Sequence, residues 1–328
     1  MADNTAFSGK DSSILVGKET TFGAPVSCTK DLGIISDATV EEVEDKERIG
    51  SIGARNSQAD VRTRFRISGT IDAVYQHARM LHLALGSATS AGTSPTTHTM
   101  TEADCIPSVT LQATKSFTAS GLKKTIPGVK VDTLRLIAEK SASLKWSAKW
   151  MGKTINRTTT TASQTLDDIH PAVPSQMSVY TGADDANPTA ELTMVQAFEL
   201  EIANGLKPNE GINSIVVSEL IAQERKYTGK LTFTASEATE AVKMISRIMG
   251  TDTAVAPADI QTKTALKFYW TNGLTPRDTL LITLYGVTYD SLSDTYTKDD
   301  IAYNDMPFTA ESLGSCVSED DITNGLWW

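Results

Sequence analysis

The stretch from Val61 to Gly86, VRTRFRISGTIDAVYQHARMLHLALG, reads as an alternating strand that runs into an amphipathic helix closed by glycine. Val61, Thr63, Phe65, Ile67 and Ile71 share one face of the strand, and Arg62, Arg64 and Arg66 share the other. A second copy stands at residues 225–250, RKYTGKLTFTASEATEAVKMISRIMG. Moving from 61 to 225 is a shift of 164, half of the 328 residues, and the two copies then register without a gap. Asp72 falls over Ser236, both residue types that accept a bond from a free backbone N–H at a helix start. Arg79 falls over Lys243, Met80 over Met244, Leu81 over Ile245 and Gly86 over Gly250, the glycine standing where helices end. A second echo follows each helix: GVKVDTL (128–134) and GVTYDSL (286–292), shifted by 158. The order of the echoes predicts a duplicated domain.

Outward from these units the chain reads as mainly β, with one helix per domain. Strands are expected near 33–43 and 61–71, separated by a charged, glycine-punctuated loop at 44–60 that is long enough to be functional. Residues 87–104 read as a Ser/Thr-rich loop, followed by strands near 107–118, 126–138 and 143–151. Residues 157–190, rich in Thr, Ser, Asp and Pro, are expected to link a first domain (1–156) to a second (191–328). In the second, Phe198, Leu200 and Ile202 alternate with Glu199 and Glu201, and strands are expected at 214–221, 226–234, 264–271, 279–289 and 301–309.

Composition narrows the function. With 40 acidic and 30 basic residues the net charge is −10, which argues against gripping duplex DNA through phosphate contacts. No apolar run is long enough to span a bilayer, and the N-terminal residues lack the pattern of a signal peptide. Cys28, Cys105 and Cys316 are odd in number and widely spaced, which fits a reduced compartment without a disulfide framework.

No catalytic or cofactor-binding constellation emerges. Gly152-Lys153-Thr154 ends like a phosphate-binding loop, but the position that needs the first glycine is Ser147, within an alternating strand. His77 and His82 are five apart, off the spacing that presents two ligands to one metal, and read as helix-surface residues. Asp290, Asp294, Asp299, Asp300 and Asp305 lack the glycine turn of a calcium loop and read as a solvated run. Cys28 reads as a small buried residue rather than an activated thiolate. The chain is expected to be no enzyme, with no cofactor and no metal.

ILVGKETTFGAPVS (14–27), the strand–charged stretch–strand–helix order of 33–86, and the E-x-x-x-x-G-K-L-T-F pattern within 197–235 together resemble the major tail tube proteins of long-tailed bacteriophages. That resemblance implies a β-sandwich subunit whose strands join those of its neighbours into a barrel around a lumen, in rings that stack into a tube. A duplicated chain would build the ring as a trimer with pseudo-sixfold symmetry. It implies a virion protein assembled in the host cytoplasm and partnered by itself, a tape-measure protein, tip or baseplate proteins and a tail terminator. Phage DNA would pass without specific binding, and no membrane insertion is implied. Asp45, Lys46, Glu47, Arg48, Ile49, Ile52, Arg55 and Asn56 are then candidates for ring stacking. Glu41, Glu44, Arg62, Arg64, Arg66, Glu199, Glu201, Lys226 and Lys230 are candidates to face the lumen, or to pair with one another across adjacent strands. A decoration or sheath-like virion protein shares the acidic β-rich profile, and an adhesive carbohydrate-binding sandwich shares the strand pattern.

Overall fold

The computed structural model describes residues 12–320 and 326–327, apart from 54, 57, 94, 118–119, 141, 159–175, 185, 194, 235–238, 252–255, 257–258, 273–277 and 296–302. The first half runs β1 (Ser12–Lys18), β2 (Ile34–Ala38), β3 (Glu41–Ile49), β4 (Ala59–Val74), α1 (Arg79–Leu85), β5 (Gly86–Ala91), β6 (Thr96–Glu102), β7 (Val109–Phe117), β8 (Ser120–Glu139), β9 (Lys145–Gly152) and β10 (Asn156–Thr158). The second runs β11 (Met177–Ala183), β12 (Ala190–Glu191), β13 (Val195–Ala203), β14 (Lys207–Asn209), β15 (Glu219–Ile221), β16 (Lys226–Thr234), α2 (Thr239–Arg247), β17 (Thr264–Thr271), β18 (Thr279–Tyr289), β19 (Ser293–Thr295), β20 (Tyr303–Ala310) and β21 (Ser312–Asp320). The fold is mainly β, as the alternation predicts, and its strand pairings are antiparallel.

One sheet crosses both halves in the order β2/β3, β4, β9, β8, β13, β16, β20, β18/β19. Its alternation can be read row by row. Ile71, Ala148, Leu134, Ile202, Tyr227 and Ala310 lie side by side and are all buried. The neighbouring row, Asp72, Ser147, Arg135, Glu201, Thr228 and Thr309, points the other way and is wholly polar. The buried rows pack on a second layer, reached where β8 and β18 change partners. β8 pairs with β7 up to Val129 and with β9 from Lys130. β18 pairs with β17 up to Val287 and with β20 from Thr288. Each crossing follows a left-handed glycine, Gly128 (φ 71°) and Gly286 (φ 65°), a conformation that costs little only without a Cβ. Between the layers Phe198 stacks on Phe268 at 4.8 Å, and Tyr75 meets Trp270 edge-on at 6.2 Å across the halves.

The second half repeats the pairing of the first. Gly69 faces Trp150 and Gly229 faces Phe308; the strand glycines are 160 apart and the aromatics 158. The irregularity between Ile35 and Asp37 recurs between Val195 and Ala197, again 160 on. The irregularity between Val109 and Leu111 recurs between Thr264 and Leu266. The strands therefore register at 160, not at the 164 read from the helices. Four is an even number, so the wrong register still put every side chain on the right face. Helix starts also keep 160 (Arg79 and Thr239), while Gly86 and Gly250 are 164 apart. About one further helical turn of chain separates strand from glycine in the second half.

Several expectations need correction. Asp72 caps no helix: β4 runs on to Val74, Asp72 sits opposite Ser147, and α1 begins after Ala78; its counterpart Ser236 lies outside the described residues. The expected loop 44–60 is largely strand, because β3 and β4 continue as a hairpin to Ile49 and Ala59. The Ser/Thr-rich stretch 87–104 forms β5 and β6, with Thr96, His98 and Met100 buried. Of 214–221 only Glu219–Ile221 is strand. The expected linker contains β11, which pairs with β17 as β1 pairs with β7.

The two facing glycines carry a prediction. A Cβ on Gly69 would lie 2.1 Å from the Thr39 carbonyl oxygen and 2.5 Å from the Trp150 ring. On Gly229 it would lie 2.3 Å from the Glu199 carbonyl oxygen and 2.3 Å from the Phe308 ring. Gly69→Ala and Gly229→Ala are each expected to cost ~1–3 kcal/mol, read as a lower urea midpoint. Adding Trp150→Leu should not rescue Gly69→Ala, because the closer obstacle is backbone.

Candidate assembly interface

Two surfaces stand out: the polar face of the shared sheet and the β3–β4 arm that leaves it. Most lumen candidates fall on the polar face by register. Glu201 and Thr228 are paired in one row, Glu199 and Lys230 in another, and Glu41 faces Ser68 on the same side as Arg66. The face carries both signs, and some of its charges are paired. Arg135 grips Glu199 with two bonds, at 2.6 and 2.5 Å, and Lys230 meets Asp305 at 3.0 Å. Arg135 was not among the candidates; its place opposite Glu201 comes from the β8–β13 junction, which no local pattern announces. Burial works to raise the Asp305 carboxyl, and hydrogen bonds from Thr232 and Lys230 outweigh it, holding it below its ordinary value. Glu42 likewise is held low against its burial by Lys124 and Arg157.

The stacking candidates divide between strand and tip. Asp45, Lys46, Glu47, Arg48 and Ile49 belong to β3, whereas Ile52, Arg55 and Asn56 sit at the turn. Every described residue from 46 to 64 is exposed, so the arm stands clear of the core. Its register is held by charge: Arg62 donates to Glu44, Arg66 meets Asp45 at 2.5 Å, and Arg48 meets Asp60 at 3.8 Å. A second loop leans on it. Arg64 pairs with Glu210 at 2.9 Å, and the Phe65 amide donates to the Ile215 carbonyl at 2.7 Å. Ile52 at the tip of the arm and Ile212 in this loop are both fully exposed. Ile212 and Ile215, apolar among Glu210, Asn213 and Ser214, were the available signal for this second contact.

The remaining candidates are held by local contacts. Cys28 is buried, and burial pushes its thiol up to about 12. The Lys153 ammonium lies over the Phe22 ring, 5.4 Å from its centre. Asp290 accepts a bond from the Thr309 hydroxyl and Asp305 is paired, while Asp299 and Asp300 lie outside the described residues. Among the described residues no cluster of His, Cys, Asp or Glu is arranged to hold a metal. No helix of the described residues is long and apolar enough to cross a membrane.

His77 and His82 are not surface residues, contrary to expectation, but are both buried. His77 meets Asp31 at 2.8 Å, and Arg79, wholly buried, meets the same carboxylate at 3.1 Å and donates to the Leu326 carbonyl at 2.8 Å. The Trp327 indole N–H donates to His82 Nδ1 at 2.7 Å, so that nitrogen carries no proton. The C-terminal Leu326–Trp327 thus closes over α1. Burial, aided by Lys18 and His98, lowers His82 to about 4; burial also lowers His77, against the pull of Asp31. Between the ordinary value of 6.5 and about 4 the unfolded chain binds a proton at His82 that the folded chain refuses. Stability should therefore fall on acidification through that window. The loss is expected to approach ~3 kcal/mol for His82 by pH 4, and urea titrations of a His82→Gln variant should show a flatter dependence.

The model for a phage tail tube protein family matches residues 9–309. No curated protein matches the chain significantly. With a mainly β antiparallel fold and a family match over most of its length, this chain belongs to the phage tail tube proteins, structural components of the virion tail.

Proposed function

We propose that the chain carries two tandem tube domains, that three copies close into a ring with pseudo-sixfold symmetry, and that rings stack into the hollow tube through which phage DNA passes. The observation that carries this reading is the repeat of the same strand registers, irregularities included, twice within one continuous sheet. Three chains then set six such units around the lumen, core rows outward and polar rows toward water. Glu41, Glu199, Glu201, Lys226 and Lys230 line that lumen along with Arg135, and a surface of both signs, with Arg135 paired to Glu199 and Lys230 to Asp305, leaves little for DNA to grip. The β3–β4 arm, with the Ile212 loop beside it, reaches the next ring. The tape-measure protein occupies the lumen during assembly in the host cytoplasm, and tip and terminator proteins meet the two end rings. No catalytic step is assigned.

Electron microscopy of the purified protein at rising concentration tests the reading, with symmetry taken from end-on views. Hollow tubes with three chains per pseudo-sixfold ring are expected. Six chains per ring would keep the tube and discard the two-domain ring. Monomers under every condition, including with the tape-measure protein present, would overturn the function.

A further inference from the structure

The chain already contains one junction between its two units, and its geometry specifies the junction between chains. Inside the chain, Thr133–Glu139 of β8 pairs antiparallel with Ala197–Ala203 of β13, Arg135 facing Glu201 and Leu134 facing Ile202. Next to this seam the second half covers the first half's helix. Asn204, just beyond β13, donates to the Ala84 carbonyl at 3.0 Å, Leu326 and Trp327 hold Arg79 and His82, and all seven residues of α1 are buried.

The repeat moves β13 onto the β2–β3 edge by 160 and the second half of β8 onto the chain around β19 by 158. The second shift is fixed by pairing, since Arg135 faces Ser147 and Ser293 faces Asp305. Among the described residues the moved seam has no occupant: β2 and β3 pair only with β4, and β19 only with β20. The counterpart helix α2 is less covered than α1: Val242 is 48 % exposed, and Met249, just past the helix end, 39 %. Leu134 is fully buried, whereas Leu292 in the matching place is only partly so.

We infer that one copy lays Thr39–Val43 along Ser291–Thr295 of the next, antiparallel, with Glu41 facing Ser293 and Val43 facing Ser291, and that the arriving copy covers the Val242 side of α2. This rests on the ring reading and names its lateral contact. The interface is head-to-tail, each chain offering one edge and receiving the other, so it closes only as a ring. Satisfying the two edges removes the open strands that a free subunit exposes.

Cysteine pairing tests it on the full-length chain. In a Cys105→Ser background, which removes the exposed native thiol, Glu41→Cys is combined with Ser293→Cys. Facing positions on antiparallel strands fall within disulfide reach. Under mild oxidation of assembled tubes, a ladder of covalent dimers and trimers is expected on denaturing gels. Glu41→Cys with Thr295→Cys, two residues out of register, should cross-link at least several-fold less. Val242→Glu should leave the monomer's circular dichroism and melting unchanged while abolishing rings. Tubes that form without cross-linking at 41 and 293, or with Val242→Glu assembling like the parent, would overturn the seam and leave the tube reading intact. Absence of rings and tubes in the parent protein would overturn both.

Discussion

Replacing residues 46–63 with Asn-Gly is expected to give a folded chain that closes rings and builds no tubes. Asp45 and Arg64 are paired in register, so a two-residue turn of the type that suits hairpin twist joins them without strain. Every described residue removed is exposed, and the surface ion pairs lost with them, such as Arg48–Asp60, contribute ~0–1 kcal/mol each. Arg64 keeps its bond to Glu210, so the neighbouring loop stays placed. Circular dichroism and melting should therefore change little, while micrographs lose tubes and keep rings. Long tubes from this variant would sink the stacking role. Ile52→Asp, a single change at the tip, should shorten tubes several-fold and separate the tip's contribution from that of the arm.

Arg79→Met is expected to be the most destabilising single change described here, at ~3–5 kcal/mol, because it strips a wholly buried guanidinium from a buried carboxylate. Asp31 would be left facing His77. In the parent, Arg79 helps hold His77 neutral, although burial is the larger influence. Without Arg79, protonated His77 becomes the available partner for Asp31, so the deficit should narrow as pH falls. Urea midpoints of parent and variant at two pH values measure this; a deficit independent of pH would show that His77 does not take over. The C-terminal closure should loosen too, since Arg79 also holds the Leu326 carbonyl. Faster proteolysis at the C-terminus would report it.

Where side chains alternate between core and water, strand bounds were readable. β16 and β17 fall at 226–234 and 264–271 as expected, and β18, buried along most of its length, was readable at 279–289 as an apolar run instead. Reading failed where another force holds the strand. The outer arm of β3 and β4 has no core face, and Glu44, Asp45, Arg62 and Arg66 set its register by charge, so the pattern looked like a loop. β6 and β21 bury Thr96, His98, Ser318 and Asp320 rather than aliphatic residues, with His98 bonded to Asp320 at 2.9 Å. The helix start was misplaced because Asp72 suits a cap and an outer strand row equally well. The hairpin that holds the stacking candidates was not legible, nor was the seam between halves, because contacts separated by some 60 positions leave no local trace.

The two units present unlike tips: a long arm ending at Ile52 in one, a shorter loop bearing Ile212 in the other. In a ring of three chains, long and short would alternate around the rim. The rim is then a key with three teeth rather than six. A ring turned by one unit would set long tip where short belongs, so successive rings would seat only at every second angular position, and the pitch of the finished tube would be chosen from half as many settings.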